Sequence, residues 1–205
     1  MRKIFNIILA FTICISCNEQ KAKEKEVDFE NRIETEINSG IRNDTIFVGY
    51  VFGMSKREFA QKTKDLQKEG KLFVNESNTL AYKMTIAEND FGKDLEATYS
   101  PEFYNEKLFE LGVSVKSTKY STPELTQLQL VNLFTGKYGS YDHKEKSVLD
   151  DYDNYIWIDG NRHIKIAAGF NDARIFYTDL LAKREFENGK EIQQKSELKK
   201  TKSDL

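Results

Sequence analysis

Two cysteines, two histidines, a run of aspartates and a cluster of aromatic residues carry the chemistry open to this 205-residue chain. Cys14 and Cys17 stand too close in sequence to staple a fold. The histidines, His143 and His163, belong to no His-Glu-x-x-His pattern, which excludes a zinc protease of that type. The nucleophile elbow Gly-x-Ser-x-Gly and the phosphate-cradling Gly-x-x-x-x-Gly-Lys-Ser/Thr are both absent. Asp150-Asp151-Tyr152-Asp153 looks like an oxygen-ligand cluster, but a calcium loop needs oxygen at position 5, Gly at 6 and Glu at 12. Counted from Asp151 those places hold Tyr155, Ile156 and Arg162, so a solvated acidic loop is expected and no metal site. No cofactor is expected either. Carboxylates are abundant, so a hydrolase of envelope polymers working through a carboxylate pair stays as the alternative to a non-catalytic protein.

The stretch 138–157 holds Tyr138, Tyr141, Tyr152, Tyr155 and Trp157, the only tryptophan, among Asp142, His143, Lys144 and Glu145. An aromatic-rich loop with a polar rim has the composition of a recognition surface. These five residues are the candidate partner contacts; the other reading makes them lids folded back on the core.

The start of the chain gives an address. Met1-Arg2-Lys3 is followed by the apolar run Ile4 to Ile13, then Cys14-Ile15-Ser16-Cys17 and the polar Asn18-Glu19-Gln20-Lys21. A basic opening, a short apolar core and a small residue before the break describe a secretory signal peptide over 1–16, too short to span a membrane. The closing tetrapeptide resembles the lipobox of bacterial lipoproteins, although the place three before the cysteine, usually leucine, is Cys14 here. That resemblance implies cleavage before Cys17, lipidation of its sulfur and attachment to the cell envelope, at the outer membrane rather than the inner, with the periplasm or the surface beyond. A plain secreted protein and an uncleaved anchor are the alternatives.

Once the signal is removed, roughly 190 residues make one ample domain or two small ones. With 39% hydrophobic and 31% charged residues the chain falls in the globular range, and a net charge of −2 argues against nucleic acid as partner. The segment 17–44 reads as lipid anchor and charged linker, either a solvated spacer or a short amphipathic helix using Phe29, Ile33 and Ile37. Residues 183–205 read as a charged tail, a frayed helix or a disordered end. Between them, 45–182 reads as a globular domain.

Within that body, Thr45 to Phe52 is β-branched and aromatic, which predicts a leading strand. Ser55 and Glu58 form a capping box for a helix burying Phe59, Thr63 and Leu66, with Gly70 as its left-handed exit. Alternating segments follow at 80–86, 95–99 and 109–115. Ser121 to Glu124 predicts a second capping box and a helix with Leu125, Leu128, Val131 and Phe134 on one apolar face. Strands 155–158, 163–167 and 174–177 come next, joined by turns at Asp159-Gly160-Asn161 and Asn171-Asp172. The expected fold is α+β: two helix-plus-three-strand antiparallel units, αβββ-αβββ, after the leading strand.

Gly49 to Glu58, with Gly53-Met54-Ser55 at the helix entry, resembles small outer-membrane assembly lipoproteins related to BamE, and the tandem order resembles the β-lactamase-inhibitor-protein fold. Both resemblances imply protein–protein interaction and not catalysis. The expected function is a lipid-anchored envelope binding or assembly module with a protein partner.

Overall fold

The computed structural model describes residues 26–86, 94–117, 121–147 and 152–203. The fold is α+β, built on one antiparallel sheet of eight strands in the order β1-β2-β3-β4-β8-β7-β6-β5. In chain order the strands are β1 (Leu72–Val74), β2 (Leu80–Met84), β3 (Leu95–Tyr104), β4 (Lys107–Ser117), β5 (His143–Lys146), β6 (Asp153–Asp159), β7 (Arg162–Ala168) and β8 (Ala173–Asp179). The helices are α1 (26–38), α2 (Lys56–Lys68), α3 (Pro123–Tyr138) and α4 (Leu180–Ser203). Each helix-led half therefore carries four strands and not three, and the halves share a single sheet through the β4–β8 pairing, Val113 opposite Ile175. The missed strands are the two edges. β1 has only three residues, and β5 reads His-Lys-Glu-Lys, a charged edge that discourages pairing with another chain.

The expected leading strand does not form. Val48 (φ 45°) and Gly49 (φ 81°) turn the chain back on itself through a short 3-10 turn, Phe47–Gly49. Thr45 and Val51 keep one isolated bridge, and Tyr50 swings inward to be fully buried against Phe59, ring centroids 4.3 Å apart. The helix that follows forms as its cap predicts. The Glu58 amide donates to Ser55 Oγ at 3.2 Å, and the Ser55 amide donates to the Glu58 carboxylate at 2.7 Å. At α3 the cap is Thr122, one residue later than expected, and Ser121 Oγ lies instead 2.8 Å from Thr126 Oγ1. The buried face of α3 shifts with it. Thr126, Gln127, Leu130, Val131 and Phe134 face the sheet, while Leu125 and Leu128 are exposed. Gln127 explains the shift: its amide donates to the Asp153 carbonyl at 2.7 Å, tying the helix to β6 at a polar point that apolar periodicity does not register.

Pairing partners in an antiparallel sheet share a face. Trp157, Ile164, Tyr177 and Leu111 stand side by side across four strands, under α3, and Val115 and Ala97, paired four residues further along β4, share that face. This front face is the core, with Trp157, Ile164, Ile166 and Val113 almost wholly buried.

The charged flanks are helices that pack behind the sheet. Of the two readings of the stretch before 45, α1 is the helix: Phe29 stacks on His143 at 4.3 Å, Arg32 pairs with Asp142 at 3.2 Å, and Glu36 accepts from the Gly160 amide at 3.0 Å. α4 continues directly from β8, with Phe186 against Phe109 and Tyr104. An ion pair between Glu34 and Arg184 joins α1 to α4. The segment between α1 and the body is held by the β6–β7 turn, where Asn161 accepts from the Asn43 amide and donates to Asp44. At that turn Gly160 has φ 62° and no room for a Cβ, which would sit 2.6 Å from the Ile41 carbonyl oxygen.

His163 lies on the back face of β7 with its Nδ1 sealed and, among the described residues, without a hydrogen-bond partner. Burial, with Lys183 and Lys165 nearby, pushes its pKa down to about 3. The folded protein thus refuses a proton that the unfolded chain takes up near pH 6.5. Stability contributed by neutral His163 is complete above pH 6.5 and drains away as pH falls toward 3. Between pH 7.5 and 5 the wild type should lose about 1–2 kcal/mol more than a His163→Leu variant in urea titrations. Parallel pH profiles for the two proteins would contradict this.

Candidate binding surface

The back face of the sheet is half covered. α1 lies over β5 and β6, and α4 over the end of β8, so Ile156, Ile158 and Thr178 are buried there. Toward the other end, where β7 turns into β8, nothing lies over the strands among the described residues. Thr98 and Ser100 of β3, Ser114 of β4, Arg174 and Phe176 of β8 and Lys165 of β7 line an open groove. One hollow in it is about 330 Å³ and runs from Thr79 and Thr98 to Phe176.

Strand alternation puts these side chains outside. Ile175 and Tyr177 point into the core, so Arg174 and Phe176 must point away from it. Phe176 is half-buried, with Lys165 Nζ 5.5 Å from its ring centroid. Asp172 is buried beside them. Its carboxylate accepts from Ser114 Oγ and from Arg174 Nε at 3.1 Å, and its carbonyl accepts from the Gly169 amide at 2.7 Å, closing the turn. The Asp172 carboxylate also sits where a Gly169 side chain would be, which leaves that position to glycine. Arg174, half exposed, is thereby fixed in place along the groove, its charge offset from below.

The five aromatic residues expected to form a contact site do not come together as one patch. Trp157 is 1% exposed and belongs to the core: its Nε1 donates to the Gly139 carbonyl at 3.0 Å and its ring meets Phe134 at 5.9 Å. This overturns its place among the contact residues, because the front-face row that buries it is set by strand pairing across β6, β7 and β8. Tyr155 leans on the same core, with Lys144 5.3 Å above it. Tyr141 crosses both rings edge-on and is exposed on its outer side. Tyr138 packs at a tilt against Phe134, with Arg162 over its ring. Tyr152 alone borders the back-face groove, hydrogen-bonded to Glu124, whose carboxyl is held below its usual range by Thr122 and Tyr152. The supposed long loop is largely the β5–β6 hairpin. Its residues 148–151, with Asp150 and Asp151, lie outside the described residues.

Among the described residues no three His, Cys, Asp or Glu side chains converge to hold a metal ion. His143 and His163 stand on β5 and β7 with β6 between them. Asp153 is drawn into pairs with Lys144 and Lys146, and the Lys144 hydrogen bond holds its carboxyl below the usual range. Comparison with protein families, curated proteins and solved structures finds no match.

Proposed function

We propose that this chain is a lipid-anchored binding or assembly module of the bacterial cell envelope, presenting the uncovered half of its sheet to a protein partner. The observation that supports it most is the groove. It joins an aromatic ring (Phe176) to charges of both signs (Arg174, Lys165, Glu145) over a floor of paired strands. Such a surface suits a protein segment that brings apolar side chains flanked by mixed charge, because aromatic anchors and arginine dominate interface energies. The lipid anchor rests on the motif ending at Cys17. No helix among the described residues is long and apolar enough to cross a membrane.

A photo-crosslinker at Ser100, in the groove, should trap one envelope protein in intact cells, while the same group at Lys64 on α2 should not. Lys165→Glu should then cut that crosslink tenfold or more, while costing the domain no more than about 1–2 kcal/mol, because the side chain is half-buried over Phe176 but not in the core. Equal crosslinking at Ser100 and Lys64, or a crosslink indifferent to Lys165→Glu, would remove the groove as the contact surface.

A further inference from the structure

Five of the ten exposed large apolar side chains among the described residues lie toward one end of the domain, and the N-terminus of α1 points toward that end. Moving toward its N-terminus, α1 touches the sheet in steps: Glu36 at Gly160, Arg32 at Asp142, which binds the Ile158 amide, and Phe29 at His143, opposite Ile156. Its axis therefore runs parallel to β6, with its N-terminus toward the edge where β6 begins, β7 ends and β8 begins. At that edge the tip of the β7–β8 turn holds Phe170, 93% exposed. Tyr152 opens β6 there, Val27 is exposed on the first turn of α1, and Leu125 and Leu128 are exposed at the start of α3. The opposite edge is ionic: Arg42, Asp44, Asp159, Arg162 and Asp179 interlock there beside Ile41.

We infer that the Phe170 edge rests on the lipid surface that holds Cys17. This rests on the lipidation reading, and it adds an orientation and a second contact with the membrane. Eight residues separate Cys17 from the start of α1, and nine steps of chain reach at most about 30 Å. With α1 held to the sheet, that leash keeps the Phe170 edge near the headgroups and turns the ionic edge away. An aromatic tip with a tyrosine beside it suits the headgroup boundary, where such rings concentrate. The described charges around the tip carry both signs, Lys146, Lys165 and Arg174 beside Glu124, Glu145, Asp153 and Asp172, so no basic field draws it to lipid and the contact depends on apolar insertion. The groove opens beside this edge, so a partner would be met at the membrane surface.

The test uses the full chain purified from membranes, its intact mass recording the acyl groups on Cys17. With Cys14 cleaved away and Cys17 blocked, Phe170→Cys offers one thiol for an environment-sensitive fluorophore, and Val74→Cys, exposed on β1, offers the control. In protein-free vesicles of phosphatidylethanolamine and phosphatidylglycerol, the label at 170 should shift to shorter wavelength. Brominated lipids should quench it several-fold, unchanged between low and high salt, while the label at 74 stays water-like. A water-like label at 170 on a chain whose mass shows the acyl groups overturns this orientation alone, and equal quenching at 170 and 74 does the same. An unmodified Cys17 overturns the anchor and the orientation together.

Discussion

Replacing Trp157 by Ala is expected to lower the stability of the domain by about 3–5 kcal/mol. The ring is 1% exposed and fills the space between β6 and α3, touching Phe134 and Tyr141, and its Nε1 satisfies the Gly139 carbonyl at the end of α3. Truncation opens a cavity that neighbouring strands, pinned by their ladders, cannot close, and it leaves that carbonyl without its donor. Domains of this size commonly hold about 5–15 kcal/mol in all, so a large share would go. Melting should fall by roughly 6–20 °C, at 2–4 °C per kcal/mol for a chain of this length. Trp157→Phe, which keeps an aromatic ring but loses the donor, should fall less. Native tryptophan emission should be blue-shifted and move red on unfolding. A Trp157→Ala protein melting within a degree of wild type would show that the α3–β6 packing described above is wrong.

Replacing Cys17 by Ser is expected to move the protein from the membrane fraction to the soluble one, or to leave an uncleaved precursor. Lipidation joins the glyceryl group through sulfur, and a serine hydroxyl is a far weaker nucleophile at neutral pH because so little of it is ionised. Acyl chains contribute about 0.8 kcal/mol per buried methylene, so two or three of them hold a protein to a bilayer where one is only marginal. The Phe170 edge, offering a few rings and no long apolar run, would not retain the chain alone. Fractionation with mass measurement of the mature N-terminus checks this. A correctly cleaved Cys17→Ser chain that stays wholly in the membrane fraction would remove the lipoprotein reading.

Local signals were legible wherever a short-range contact decides the structure. The Ser55–Glu58 box closes as two reciprocal hydrogen bonds within four residues. Gly70 takes the left-handed exit at φ 71°. Strand alternation in β8 sets Arg174 and Phe176 apart from Ile175 and Tyr177, but only the pairing of β3, β4, β7 and β8 makes that outer row one side of a groove. The leading strand misled because β-branched and aromatic residues favour extended backbone only when a neighbouring strand accepts them. Here Val48 and Gly49 reverse the chain instead, and Tyr50 gains a buried place on Phe59.

By itself, then, the amino-acid order determined the α+β class, the caps and turns, most of the strands and the alternation within each. These depend on neighbours a few residues apart, whose geometry the chain carries with it. The tertiary structure alone decided that two four-strand halves fuse into one sheet, because the β4–β8 pairing joins residues some sixty positions apart that no local pattern links. It decided that α1 and α4, polar enough to pass for tethers, pack behind that sheet through single rings and a few ion pairs. It also decided which aromatics are buried and which remain outside. Trp157 and Phe170 have equal claim to a core by composition, but the sheet closes over one and a tight turn, filled by the Asp172 carboxylate, thrusts the other into solvent.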